Sequence, residues 1–401
     1  MEVGTVLRRE ARALWSEGRG PSLVIVATGW GLLVGTRMIY PIIIPYFESS
    51  FGLSLALAGL LVSVLWLCGA LGQLPGGLLA DRYDERWIMG ASLLIVALAL
   101  VFVVTAVDVW VLFVATAVWG LGHSLYPISR ITFLSTSYSS RLGSALGVTM
   151  ATGDVGQTVL PPIAAVLAAA LAWQAGLGFV VPFLVVAGLG ILLVVPRQPS
   201  TGSVASARSL QNPRHVLAEI RTPAIGFMSV ILLLFIFIWQ SFTAFYPTYL
   251  ITVKGLSPAL ASVLFGFFFA VGVVIKPVAG AAYDRIGMRW SLIGVLTPSV
   301  VGFGLLPFVD SIWFLVATTA LISIMLGTGA ITQSFLAESF SKEVQGTGLG
   351  VVRTTTATLG AGGPVVFGVV GEYGYFDEGY LALAAIMVVV ILLTFRMPRY
   401  D

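Results

Sequence analysis

Long apolar runs broken by short polar gaps set the pattern of this chain. They fall near 22–47, 55–80, 87–107, 109–134, 143–170 and 176–195, then near 223–250, 258–282, 290–308, 311–336, 347–371 and 376–395. Each approaches the roughly 20 residues that an α-helix needs to cross a bilayer. The pattern predicts an all-α membrane protein of twelve transmembrane helices in two sets of six.

The gaps add an orientation. In the loops between spans, nearly all Lys and Arg lie in 81–86, 135–142, 196–222, 283–289 and 337–346, whereas the alternate loops hold Lys254 with Glu48, Asp108, Asp310, Glu372, Asp377 and Glu378. Basic loops stay on the cytoplasmic side, so both termini and the long central loop are expected there, in a multi-pass protein of the cell (inner) membrane. Residues 1–21 form a polar, basic tail with Arg8, Arg9, Arg12 and Arg19. The run that follows is too long for a signal peptide, contains Arg37 and lacks a small-residue cleavage site, so it is expected to remain as the first span. The expected organisation is a tail (1–21), a six-helix bundle (22–195), a linker (196–222), a second six-helix bundle (223–396) and a short tail (397–401). Within the linker, 212–221 reads equally as a short surface helix and as a basic disordered stretch.

Composition removes the soluble alternatives: 58% of the residues are apolar and only 10% charged. The single cysteine, Cys68, excludes a disulfide framework and a cysteine metal cluster and is assigned to helix packing. Neither a zinc-protease H-E-x-x-H, a G-x-S-x-G elbow nor a nucleotide-binding G-x-x-x-x-G-K-[ST] loop occurs. An enzyme is therefore not expected, nor a metal or cofactor.

One loop is written twice. Gly77-Leu78-Leu79-Ala80-Asp81-Arg82-Tyr83-Asp84-Glu85-Arg86 returns as Gly280-Ala281-Ala282-Tyr283-Asp284-Arg285-Ile286-Gly287-Met288-Arg289, an offset of 203 (280 minus 77). The offset also pairs Gly52-Leu53-Ser54 with Gly255-Leu256-Ser257, Tyr46 with Tyr249, Gly69 with Gly272, Gly143 with Gly346, Gly147 with Gly350 and Pro161 with Pro364. A hydrophobic chain that repeats its own half is the mark of a transporter built from two like bundles.

The motif G-x-L-A-D-R-x-x-x-R, between the second and third spans and echoed between the eighth and ninth, resembles that of the major facilitator superfamily of secondary transporters. The resemblance covers the whole chain. It implies two bundles that rock in alternating access, and a cytoplasmic latch made by the repeated loop: Asp81, Arg82 and Arg86, with Asp284, Arg285, Arg289 and Glu338. In that arrangement Asp81 faces the start of the eleventh helix, Asp284 faces the start of the fifth, and Glu338 pairs with Arg285 or Arg289. A carboxylate at a helix N-terminus meets unpaired N–H groups there. The family usually has glycine and arginine where this chain has Asp84 and Glu85, and the second copy keeps Gly287 but has Met288.

Ionisable residues inside the predicted spans carry the functional signal: Arg37, Arg130, Asp154, Lys276 and Arg353. Each costs about 2.5–3.5 kcal/mol at a helix centre on insertion scales, so it faces a partner or a wet cavity. Four are basic, which favours an anion. Arg37 lies about 22 Å along its helix at 1.5 Å per residue, and its repeat partner Gln240 is also polar. Arg37, Gln240, Lys276 and Arg353, with Tyr40 and Trp239, form the expected substrate site. A structural Arg37–Asp154 pair is the alternative for Arg37. The placement of Lys276 and Arg353 is similar to that of basic residues in the oxalate:formate antiporter and monocarboxylate transporter families. Asp154 and His123 are the coupling candidates; Arg130, near a helix end, is expected to snorkel, and the aromatic residues of the seventh span to face lipid.

The expected function is a secondary active transporter, monomeric, that moves an organic carboxylate or inorganic oxyanion and has no nucleic-acid partner; a coupling proton or counter-ion is its further expected partner. The alternatives are a proton-coupled exporter of apolar or cationic compounds and, less in keeping with the motifs, a non-transport membrane enzyme or sensor.

Overall fold

A computed structural model describes residues 14–15, 19–73, 75–76, 79, 83–139, 141–197, 213–341 and 344–398, with side chains of the linker helix from 217 onward. Helix α1 spans Gly20–Phe51, α2 Leu55–Leu71, α3 Glu85–Val104, α4 Val109–Ser137 and α5 Leu142–Ala170. Helices α6 (Trp173–Gly178) and α7 (Val180–Val194) make one span that turns at Phe179. The short α8 is Pro213–Ile220, α9 is Pro223–Thr252 and α10 is Pro258–Leu305. Then come α11 (Ile312–Ser323), α12 (Thr328–Ser339), α13 (Gln345–Gly360), α14 (Gly363–Glu372) and α15 (Phe376–Arg396).

Nine stretches among the described residues are long and apolar enough to cross a membrane. One of them, Pro258–Phe308, is two spans end to end, because Gly287 leaves helical geometry at φ 76° and ψ 171°. With that division, α2, and the α13–α14 pair, the chain has the twelve spans its pattern predicts. The tenth span passes through a 3₁₀ turn at Ile324–Gly327.

Local chemistry explains the ends. Asp84 caps α3, its carboxylate accepting the Arg86 N–H (3.0 Å), and Asp108 caps α4 by accepting the Val111 N–H (3.1 Å). The repeated Gly-Leu-Ser makes the same corner twice. Gly52 and Gly255 stand at φ 64° and 68°, and Ser54 and Ser257 each accept an amide three residues on, at 3.3 Å. Asp84 and Gly287 occupy equivalent places in the two loops (287 minus 84 is again 203). Asp84 caps the start of α3, and Gly287 breaks α10 by its left-handed backbone. Pro41 and Pro45 leave α1 continuous.

Close packing divides the chain into two compact units. One holds the described residues of Met1–Ile39 and Cys68–Gly202, the other those of Tyr40–Leu67 and Ser203–Asp401. In the first, Gly156 of α5 lies against the carbonyl of Gly31 in α1, and Gly35 lies against the backbone of Gly156. Small residues allow helices to approach this closely. In the second, Gly59 of α2 meets the Pro364 carbonyl and Gly368 meets that of Leu55. Glu372 accepts the Ala56 N–H at the start of α2 (3.0 Å), and Ser63 accepts the Val365 N–H (3.1 Å).

Four aromatic residues of α9 do not face lipid. Phe242, Phe245, Tyr246 and Tyr249 are fully buried, and they pack with Phe268, Phe303 and Tyr380 as the core of the second unit. Phe242 stacks on Tyr246 at 4.5 Å, and Tyr249 meets Tyr380 edge-on at 4.6 Å. Offset and edge-on pairs of this kind add to the burial itself. The Tyr246 hydroxyl pairs with that of Thr319, and Tyr249 donates to Asp377 (2.6 Å), which explains why polar aromatics are accepted there.

Candidate functional site

In the first unit, α1, α4 and α5 meet around Trp30. Three glycines bring them close: Gly29 faces the Tyr126 hydroxyl, Gly153 faces the Trp30 indole nitrogen, and Gly156 faces Gly31. Tyr126 fixes the α1–α4 register by donating to the Val26 carbonyl (2.8 Å). The Trp30 ring is then sandwiched by α4. Its centroid is 6.4 Å from Tyr126, which stacks on it, and 6.2 Å from His123, which meets it edge-on.

Arg130 completes this group and corrects its expected snorkelling. The side chain is 6% exposed, its guanidinium lies 4.0 Å over the Trp30 ring, and Nη1 donates to Thr149 Oγ1 (3.0 Å). An aromatic face and a hydroxyl draw the cation inward, where the sequence offered a short route to the helix end. Trp30 and Thr149 are the members of this group that the sequence reading missed. Trp30 lies seven residues, two helical turns, before Arg37 on one face of α1, which was the available signal.

Arg37 is half-buried in α1, and His123 on α4 is buried with Nε2 lacking a partner. Asp154 is buried on α5; its carboxylate accepts from Gln157 Nε2 (3.4 Å), and its carbonyl accepts the Thr158 hydroxyl (2.8 Å). Asp154, Gln157 and Thr158 thus form one polar stripe on α5, tied together locally. The first unit therefore gathers Arg37, His123 and Asp154 on three adjoining helices.

The remaining predicted site residues belong to the second unit. Gln240 is buried with Oε1 unpartnered; Trp239 is half-buried, 5.0 Å from Trp66 and edge-on to it. Tyr40 is fully buried, 5.3 Å from Phe47. Lys276 is half-buried on α10, and Arg353 is exposed on α13 between the buried Val352 and Thr354.

Among the latch residues, Asp81 and Arg82 lie outside the described residues. Arg86 sits 3.7 Å from Asp84 and donates to the Leu192 carbonyl (3.4 Å). Asp284 and Arg285 are exposed. The expected pairing of Glu338 with Arg285 or Arg289 is not the one formed. Glu338 accepts the Tyr283 hydroxyl (2.5 Å), while Arg289 donates to the Met397 carbonyl (2.6 Å). The break at Gly287 lies between Tyr283 and Arg289 in the chain. A cavity of about 500 Å³ opens at this corner, lined by Tyr283, Gly287, Arg289, Trp290, Phe335 and Glu338.

Known proteins match this chain along most of its length. The nitrite extrusion protein of Bacillus subtilis (strain 168) is 22% identical over 337 residues, 82% of this chain and 84% of that protein. The probable sulfoacetate transporter SauU of Cupriavidus necator is 25% identical, over 86% of this chain and 85% of its own. A crystal structure of a bacterial homologue of the human lysosomal transporter Spinster, inward-facing and unoccupied, superposes with a TM-score of 0.80 at 14% identity, covering 95% of this chain and 97% of that one. The model of the Major Facilitator Superfamily matches residues 25–289 and 255–401. Taken with twelve spans, a loop written twice and a fold shared with solved transporters, that match makes the chain a multi-pass membrane protein belonging to the Major Facilitator Superfamily.

Proposed function

We propose that the protein is a secondary active transporter of a small anion, an organic carboxylate or an inorganic oxyanion, working by alternating access. The observation that carries the reading is the position of Arg37: a half-buried guanidinium within a membrane span, in the same compact unit as the buried His123 and Asp154. A guanidinium held there suits carboxylates and oxyanions because its planar N–H fork matches their geometry. Relatives named for nitrite and for sulfoacetate support an anionic substrate.

In this reading Arg37, Gln240, Lys276, Arg353, Tyr40 and Trp239 bind substrate, and Asp154 and His123 carry the coupling proton. The two bundles are 22–195 and 223–396, and the repeated loop latches them on the cytoplasmic side. The protein acts as a monomer in the cell membrane with both termini cytoplasmic, and has no enzymatic role. Asp154, a buried membrane carboxylate, favours one second reading, a proton-coupled exporter of cations.

Reconstitution into proteoliposomes tests both. Counterflow with nitrite, nitrate, sulfoacetate and a cationic dye is expected to move at least one anion and not the dye. Dye transport that disappears in Asp154→Asn, with no anion moved, overturns the anion reading in favour of the second.

A further inference from the structure

Arg130 is a buried cation without an acidic counter-charge. Among the described residues no carboxylate pairs with it; its polar contact is the single bond to Thr149, whose hydroxyl also donates to the Leu146 carbonyl (2.9 Å). Its Nε is buried without a partner. The ring face and one hydroxyl offset only part of what it costs to bury an uncompensated guanidinium. Buried polar groups are normally satisfied, and a guanidinium N–H left open beside an uncompensated charge is the kind of gap an oxygen-bearing anion fills.

We propose that Arg130 is a second anion station, separate from the one at Arg37. Trp30 stands beside Arg130, and Arg37 is seven residues further along the same helix, about 10 Å of helix rise at 1.5 Å per residue. His123 meets the Trp30 ring edge-on. The inner ligand is a small planar oxyanion, a carboxylate or a nitrogen oxyanion, held at Arg130 by charge-assisted hydrogen bonds. The inference rests on the anion-transport reading and adds to it a second binding station within the same unit.

Equilibrium dialysis of the full-length purified protein against nitrite, nitrate and sulfoacetate, with bound anion measured by ion chromatography, tests it. The wild type is expected to hold two equivalents of at least one probe at saturation. Arg130→Gln and Arg37→Gln are each expected to hold one. Arg130→Lys keeps the charge and loses the stack; it is expected to keep two equivalents, with the weaker site at least threefold weaker still. A wild type that saturates at one equivalent overturns the second station, whatever the variants do, and so does retention of two by Arg130→Gln. One equivalent together with anion counterflow leaves the transport reading standing and removes only Arg130; no binding and no counterflow removes both.

Discussion

Gly156 lies against the carbonyl oxygen of Gly31, closer than any side chain would permit. This contact brings α5 onto α1 and so places Asp154 beside the helix that carries Arg37. Gly156→Ala forces backbone against backbone, which costs about 1–3 kcal/mol in a packed interior. The melting temperature is expected to fall by several degrees, measured by thermal denaturation in detergent. Gly143→Ala, on the same helix with open space around it, is expected to leave it unchanged. Equal shifts in the two variants would place the effect in helix propensity instead of in the crossing.

Ligand protection reports on the two arginines. At 100-fold its Kd, a ligand stabilises the native state by about 2.7 kcal/mol. The best-binding anion is expected to raise the melting temperature of the wild type, and Arg37→Gln and Arg353→Gln are each expected to lose at least half of that rise. Full protection in both variants would remove these side chains from the substrate site.

Coupling and binding separate at Asp154. If its carboxylate carries the coupling proton, Asp154→Asn abolishes accumulation driven by a pH gradient and leaves anion counterflow intact, both measured in proteoliposomes. Loss of counterflow as well would make Asp154 a structural partner of the stripe on α5; retained accumulation would remove it from coupling altogether.

Gly287 is expected to resist replacement according to backbone preference. At φ 76° and ψ 171° the backbone lies in a region that is essentially glycine-only, where asparagine has no advantage over alanine and each costs about 1–3 kcal/mol. Gly287→Ala and Gly287→Asn should therefore both lower the melting temperature by several degrees. An unchanged melting temperature in either would show that the backbone at this corner relaxes without loss.

Much of this architecture was legible in the sequence because repetition and hydropathy act over many residues. The offset of 203 anticipated that Gly52 and Gly255, with Ser54 and Ser257, make equivalent corners, and the apolar runs anticipated twelve spans. What escaped was decided by one or two neighbours. Arg130 looked free to snorkel because Trp30, whose ring it covers, lies 100 residues earlier in the chain, and the spacing of Trp30 from Arg37 was the one hint of it. The partner of Glu338 escaped for a similar reason: charge suggested Arg285 or Arg289, but Glu338 accepts the Tyr283 hydroxyl instead. The α9 aromatics were assigned to lipid on composition, and hydropathy alone does not separate a lipid-facing ring from a core one.

Asp84 and Gly287 hold the same place in the two copies of the loop and shape the backbone there by unlike means, a capping carboxylate in one and a positive φ in the other. A comparison by residue identity scores that position as a mismatch, although both mark a helix boundary. Identity between the two halves therefore understates how alike they are at this loop.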